Sequence, residues 1–148
     1  MSLSIDVVTE VSDGVLDALN RLIPQLSSRA RPLDAASLGS LLEEGVTLFL
    51  ARRGDEILGT LSLVVFEIPS GRRAWIEDVV VDQSARGTGA GEALVRAALS
   101  HASSLGLSEV DLTSRPSREA ANTLYQKVGF VQRDTNVYRF LIDDGPLV

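Results

Sequence analysis

Ala74-Trp75-Ile76-Glu77-Asp78-Val79-Val80-Val81, followed without a break by Asp82-Gln83-Ser84-Ala85-Arg86-Gly87-Thr88-Gly89-Ala90-Gly91, is the stretch on which the reading of this chain turns. Its first half is apolar on both faces of an extended chain, as a central strand requires, apart from two adjacent acids. Its second half places three glycines, Gly87, Gly89 and Gly91, within five positions. Without Cβ atoms these let the main chain curl and bring backbone N–H groups close to an anion, and the helix that follows adds its unpaired N–H groups and the positive end of its dipole. The segment reads as strand, phosphate cradle and helix, with Arg86 as a charged partner for the anion.

Working outward, apolar residues Leu94, Val95, Ala98, Ala102 and Leu105 recur at helical spacing until Gly106 stops the helix. Ser108 to Thr113 reads as a short strand, Ser117 to Val128 as a helix ended by Gly129, and Phe130–Val131 and Val137 to Ile142 as two more strands. Upstream, Ile57 to Glu67 and Val46 to Arg52 are rich in branched residues and flank Arg53-Gly54-Asp55-Glu56, which predicts an antiparallel hairpin. Residues 3 to 9 alternate as a strand. Ser12 or Asp13 can cap a helix carrying Val15, Leu16, Leu19, Leu22 and Ile23, and Asp34 a second carrying Leu38, Leu41 and Leu42, the two covering one side of the sheet. The predicted order is β-α-α-β-β-β-α-β-α-β-β: an α/β (α+β) fold with a mixed, mostly antiparallel central sheet flanked by helices, built as a single domain over residues 1–148.

Composition narrows the chemistry. At 148 residues, 45% hydrophobic and 23% charged, the chain has the length of one domain and folds around one core. The absence of cysteine excludes disulfides and a thiol nucleophile, and suits a cytoplasmic setting. A single histidine, His101, rules out a multi-histidine metal site and is expected at the surface; no metal is called for. Asp6 and Glu10 interrupt any signal-peptide stretch, and no apolar run is long enough to enter a membrane. A net charge of −6 opposes nucleic acid and favours a cationic substrate. Arg72-Arg73 reads as a solvated strand end.

The glycine-rich turn is not a Walker A loop, since no Gly-Lys-Ser/Thr follows, and Glu92 stands where the Gly-x-Gly-x-x-Gly dinucleotide pattern needs its third glycine. It resembles motif A of the GNAT superfamily of N-acetyltransferases, Gln/Arg-x-x-Gly-x-Gly/Ala after a valine-rich strand, through Arg86, Gly89 and Gly91. A second motif downstream, Ala120-Ala121-Asn122-Thr123-Leu124-Tyr125-Gln126-Lys127-Val128-Gly129-Phe130, is similar to the family's Ala-x-x-Leu-Tyr-x-x-x-Gly-Phe. The resemblance covers about residues 57 to 140. It implies acetyl-CoA as co-substrate, with the pyrophosphate on Arg86, Gly87, Thr88, Gly89, Ala90 and Gly91. It also implies that the central strand and the strand after the long helix splay apart, exposing backbone near Val79, Val80 and Val81 to pantetheine.

The same resemblance assigns Tyr125 as the general acid: a phenol can protonate or hydrogen-bond the departing thiolate. The attacking amine must lose a proton, and Glu77 or Asp78, acids in an apolar strand, could take it directly or through water. Glu77 is favoured because it shares a face with Trp75 and Val79, unless a strand bulge changes the parity; Trp75 and Asp78 are then expected near the acceptor. Arg118, where relatives carry asparagine, stays unassigned. The implied function is direct transfer of acetyl from acetyl-CoA to a primary amine in a ternary complex, the amine being a small molecule or a peptide. The alternatives are a non-catalytic module that binds acyl-CoA as a signal, and an unrelated nucleotide-binding domain. A homodimer paired through an edge or final strand also fits the resemblance.

Overall fold

The computed structural model describes residues 2–143. Strand β1 (Leu3–Val7) leads into helices α1 (Asp13–Leu26) and α2 (Ala35–Glu43), then into the meander β2 (Val46–Arg53), β3 (Glu56–Ile68) and β4 (Gly71–Val81). A 3-10 turn at Gln83–Ala85 and helices α3 (Ala90–Ser104) and α4 (Glu119–Val128) complete the elements. The strands form one antiparallel sheet in the order β1-β2-β3-β4.

The caps sit where the sequence places them. The Ser12 hydroxyl accepts from the Val15 N–H at 3.3 Å, and the Asp34 carboxylate accepts from the Ser37 N–H at 2.8 Å. Each satisfies a donor that the first turn of a helix leaves unpaired. The β2–β3 hairpin closes on Gly54, at φ 63°, a left-handed conformation that glycine adopts at little cost.

The sheet separates two apolar clusters. On one face Val15, Ala18, Leu19 and Leu22 of α1 and Leu38 of α2 pack on Leu48, Leu50, Ile57 and Val80. On the other, Leu94, Val95, Ala98 and Ala102 of α3 pack on Phe49, Ala51, Leu61, Leu63, Ala74 and Ile76. The two leading helices therefore cover one side together, as their spacing predicts. His101 is half-buried rather than fully at the surface, its ring edge-on to Phe49 with centroids 5.6 Å apart.

Three predicted strands come out differently. Ser108 to Thr113 contributes a single parallel bridge, Asp111 against Trp75, with Ile76 N–H donating to the Asp111 carbonyl at 2.9 Å and Asp111 N–H to Ala74 at 3.0 Å. Phe130–Val131 and Val137 to Ile142 form no strand among the described residues. Branched and aromatic composition favours strands only where a neighbouring edge supplies a ladder, and the one bridge at Asp111 does not extend into one. The order β-α-α-β-β-β-α holds through α3; beyond it, α4 is the only further helix or strand among the described residues.

Candidate functional site

The centre of interest is the outer edge of β4. Its inner edge pairs with β3 from Gly71 to Val81, but the pairing slips between Thr60 and Ser62, so that Asp78 and Val79 stand opposite Leu61 alone. This is a β-bulge, and it puts Asp78 at φ 51°, the only non-glycine residue with positive φ among the described residues. The extra residue reverses the alternation. Ala74 and Ile76 belong to the α3-side cluster, yet Val80, four positions on from Ile76, packs with α1 and α2, while Val79 and Val81 pack towards α3. Val79 therefore shares its face with Ile76, and the expectation that it shares one with Glu77 is corrected by the bulge.

The bulge leaves two consecutive acids on the surface. Glu77 and Asp78 are both reached by solvent, but the protein crowding their flanks removes enough water to raise each carboxyl above its ordinary value. For Glu77 this burial is the larger cause and the neighbouring Asp78 charge adds to it; for Asp78 burial is the cause. A carboxyl raised in this way is a better proton acceptor once ionised.

Beyond the bulge, Asp82 turns the chain. Its carboxylate accepts from the Ser84 N–H and hydroxyl, both at 3.1 Å, and is held below the usual carboxylate range by the Ser84 N–H first, with Arg21 also contributing. The Arg21 guanidinium, on α1, pairs with Asp82 and donates to the Ile57 carbonyl at 2.7 Å, while the Gln83 N–H donates to the Gln25 side chain at 3.1 Å. Helix α1 thus grips the entrance to the glycine-rich loop. Neither residue carries a sequence signal for this role, since the contacts span 61 and 58 positions.

Arg86, Gly87, Thr88 and Gly89 are exposed, and Gly87 and Gly89 hold φ values of 82° and 88°. Thr88 Oγ1 donates to the Ala85 carbonyl at 2.6 Å and fixes the curl between them. Gly89 begins α3 with no side-chain cap, whereas Ser12 and Asp34 cap α1 and α2. The first N–H groups of α3 consequently face outward beside glycines whose absent Cβ atoms would meet nothing within 4 Å. The arrangement fits an anionic group. Gly91 also serves packing, with Leu124 and Val81 placed 3.4 and 3.7 Å from where its Cβ would be. Glu92, an acid in the first turn of α3, is occupied: Lys127 Nζ donates to it at 2.7 Å and Arg96 Nε at 3.0 Å, which lowers its pKa and ties α3 to α4.

A groove of about 580 Å³ opens between Asp111 and its neighbours, the end of α4 and the segment after it, with Trp75 and Leu99 also in its lining. Tyr125 lines this groove, its ring edge-on to Phe130 at 5.8 Å. Burial raises its phenol above the ordinary value, and the Arg118 charge acts in the opposite direction, which makes Arg118 an electrostatic neighbour of Tyr125. Trp75 and Tyr125 are thus brought to one groove. Glu77 and Asp78 lie farther along β4 and do not line it.

Arg72, expected as a solvated strand end, donates to the Leu105 carbonyl at 2.8 Å and so satisfies the end of α3. Arg73 donates to the Ser70 hydroxyl at 3.1 Å. No helix among the described residues is long and apolar enough to cross a membrane.

Residues 16–130 match the sequence model of the acetyltransferase (GNAT) family. The chain is 32% identical over 140 residues to glucosamine 6-phosphate N-acetyltransferase 1 of Oryza sativa subsp. japonica, an alignment covering 88% of this chain and 81% of that protein. Among solved structures it superposes on an acetyltransferase of Trypanosoma brucei with a TM-score of 0.77 and 26% identity, over 95% of this chain and all of the other. An aminoglycoside acetyltransferase from an uncultured soil sample, bound to trehalose, shares the fold with a TM-score of 0.82 at 21% identity, over 96% and 97% of the two chains.

Proposed function

The chain belongs to the GNAT family of acetyl-CoA-dependent N-acetyltransferases, and on that premise we propose that it transfers acetyl directly to a primary amine held beside β4. One observation carries the reading: the uncapped start of α3, the left-handed glycines before it and the free outer edge of β4 beyond Ile76 lie in succession. Acetyl-CoA, when bound, supplies the activated acyl group as a thioester. Arg86, Gly87, Thr88, Gly89, Ala90 and Gly91 hold its pyrophosphate, and the backbone of Val79, Val80 and Val81 meets the pantetheine arm.

Tyr125 keeps its proton at neutral pH and gives it, or a hydrogen bond, to the sulfur as the thiolate leaves. Glu77 removes a proton from the amine, directly or through water, with Asp78 and Trp75 orienting the acceptor. No acyl-enzyme is needed, and the chain has no cysteine to form one. The whole chain acts as one catalytic domain in the cytoplasm, on a small-molecule or peptide amine. Because of the rice relative, glucosamine 6-phosphate is the first acceptor to try.

The test compares thermal stabilisation by acetyl-CoA, CoA, ATP and NAD at equal concentrations. At about a hundred times its Kd a ligand of the native state adds about 2.7 kcal/mol, equivalent to several degrees in Tm. A shift with the two CoA species alone supports the reading; a shift with ATP or NAD alone ends it.

A further inference from the structure

Part of one sheet face, around Trp75, is left open. Leu61 and Leu63 of β3 and Ala74 and Ile76 of β4 point into the α3-side cluster. Alternation therefore turns Ser62 and Val64, with their register partners Glu77 and Trp75, to the side that α1 and α2 share. Those helices cover Leu48, Leu50 and Val80 there, and among the described residues neither Val64 nor Trp75 belongs to either cluster. The Trp75 indole is half-buried and lines the Tyr125 groove.

The parallel bridge carries this face past β4. Trp75 and Asp111 are partners across it, so their side chains lie on the same side. Val110 and Leu112 pack with the α3-side cluster, which leaves Glu109 and Asp111 facing with Trp75. Both acids line the groove beside the indole, and Glu77 stands one step farther along β4 on the same face. None of these three carboxylates has an ion pair or a side-chain hydrogen bond among the described residues. Of the nearby cations, Arg73 is directed to Ser70, and Arg133 alone lines the groove.

An aromatic face set between two separated negative charges suits a chain with positive ends and an apolar middle. With a rise of about 3.3 Å per residue and about 4.8 Å between strands, the Cα atoms of Glu77 and Asp111 lie about 8 Å apart across Trp75. A chain of about four methylenes bridges that interval once each ammonium reaches its carboxylate. An acceptor carrying a phosphate would instead bring like charges together.

We infer that the acceptor is a linear diamine, with its reacting nitrogen at Glu77, its methylenes on the Trp75 indole and its second ammonium between Asp111 and Glu109. This rests on the acetyl-transfer reading above and names its substrate class. The ammonium at Glu77 sheds two protons as the C–N bond forms and the C–S bond of the thioester breaks. One leaves through Glu77 and the other balances the proton that Tyr125 gives the sulfur, so the products are the mono-acetylated diamine and CoA.

Steady-state kinetics with acetyl-CoA decide, comparing diaminobutane, butylamine and glucosamine 6-phosphate at one ionic strength. The kcat/KM for diaminobutane should exceed both others by about tenfold or more, and its lead over butylamine should shrink with added salt. The double variant Glu109→Gln/Asp111→Asn should erase that lead while keeping the parent's circular dichroism spectrum and Kd for acetyl-CoA. Calorimetric titration of diaminobutane into the CoA complex should show binding that the double variant loses. Turnover of butylamine or glucosamine 6-phosphate as efficient as that of diaminobutane overturns the inference, as does a diamine preference that survives the double variant. A chain that binds acetyl-CoA but acetylates none of the three overturns this inference alone; a chain that does not bind acetyl-CoA takes down the acetyl-transfer reading with it.

Discussion

Burial raises Glu77, Asp78 and Tyr125 alike, with opposite consequences for acid and base. A phenol raised above its usual value stays protonated across the neutral range, as a proton donor must. Replacing Tyr125 with Phe should lower kcat by about 10²-fold or more while leaving the Kd for acetyl-CoA within a few-fold, measured by single-turnover kinetics and calorimetry. A raised carboxyl acts as a base only above its shifted pKa, so the acid limb of the pH–rate profile should lie above the ordinary glutamate range, and Glu77→Gln should abolish that limb. The linked stability has a definite sign. Because the folded state holds the Glu77 proton more tightly than the unfolded chain does, this carboxyl favours folding below its unfolded pKa, and that contribution is lost as pH rises through the raised folded value. Glu77→Gln should therefore leave Tm at pH 7 unchanged or higher even as activity falls. Asp78 adds backbone strain: at φ 51° an Asp→Val change should cost about 1–2 kcal/mol, and Asp78→Gly should be tolerated in thermal melts.

The elements of the first three quarters of the chain were legible because each carries a local signal: Ser12 and Asp34 as caps, the three-and-four spacing of α1 and α3, and glycine at the β2–β3 turn. The bulge was not legible, because nothing local in Glu77-Asp78-Val79 distinguishes it from regular strand; it arises from the register β4 takes against β3. The link from Arg21 and Gln25 to Asp82 and Gln83 was also hidden, since it depends on how α1 crosses the sheet. That link gives a prediction. Arg21→Ala should raise KM for acetyl-CoA several-fold with a smaller change in kcat, since it loosens the loop entrance without touching Tyr125 or Glu77. Gly59 offers a second. Its missing Cβ would fall 2.9 Å from the Val80 carbonyl, which belongs to the sheet backbone and cannot give way, so Gly59→Ala should destabilise by about 1–3 kcal/mol in denaturant titrations.

At the scale of the whole molecule, one sheet divides two cores, and the region with fewest buried residues follows α3. Residues 107–143 contribute none of the fully buried side chains. Amide exchange should accordingly be slowest in β2 and β3, while the amides of residues 131–142 should exchange rapidly. The composition of Val137 to Ile142 predicts a strand that is not formed among the described residues, because pairing depends on an edge that lies outside the segment. The candidate site was legible where two motifs announce it, at Arg86 to Gly91 and at Tyr125. It was hidden where the contribution comes from distant chain, as with Arg118 acting on Tyr125 and Lys127 neutralising Glu92.

The bulge at Asp78 works as a phase shift in β4. Drawing that residue into regular strand would carry each valine after it to the opposite core: Val80 would turn from α1 and α2 towards α3, and Val79 and Val81 the other way, whereas deleting it would leave all three facing as they do. β4 therefore carries one residue more than its face pattern needs, and the place where that residue is absorbed, not the composition of the strand, decides which core the valines feed.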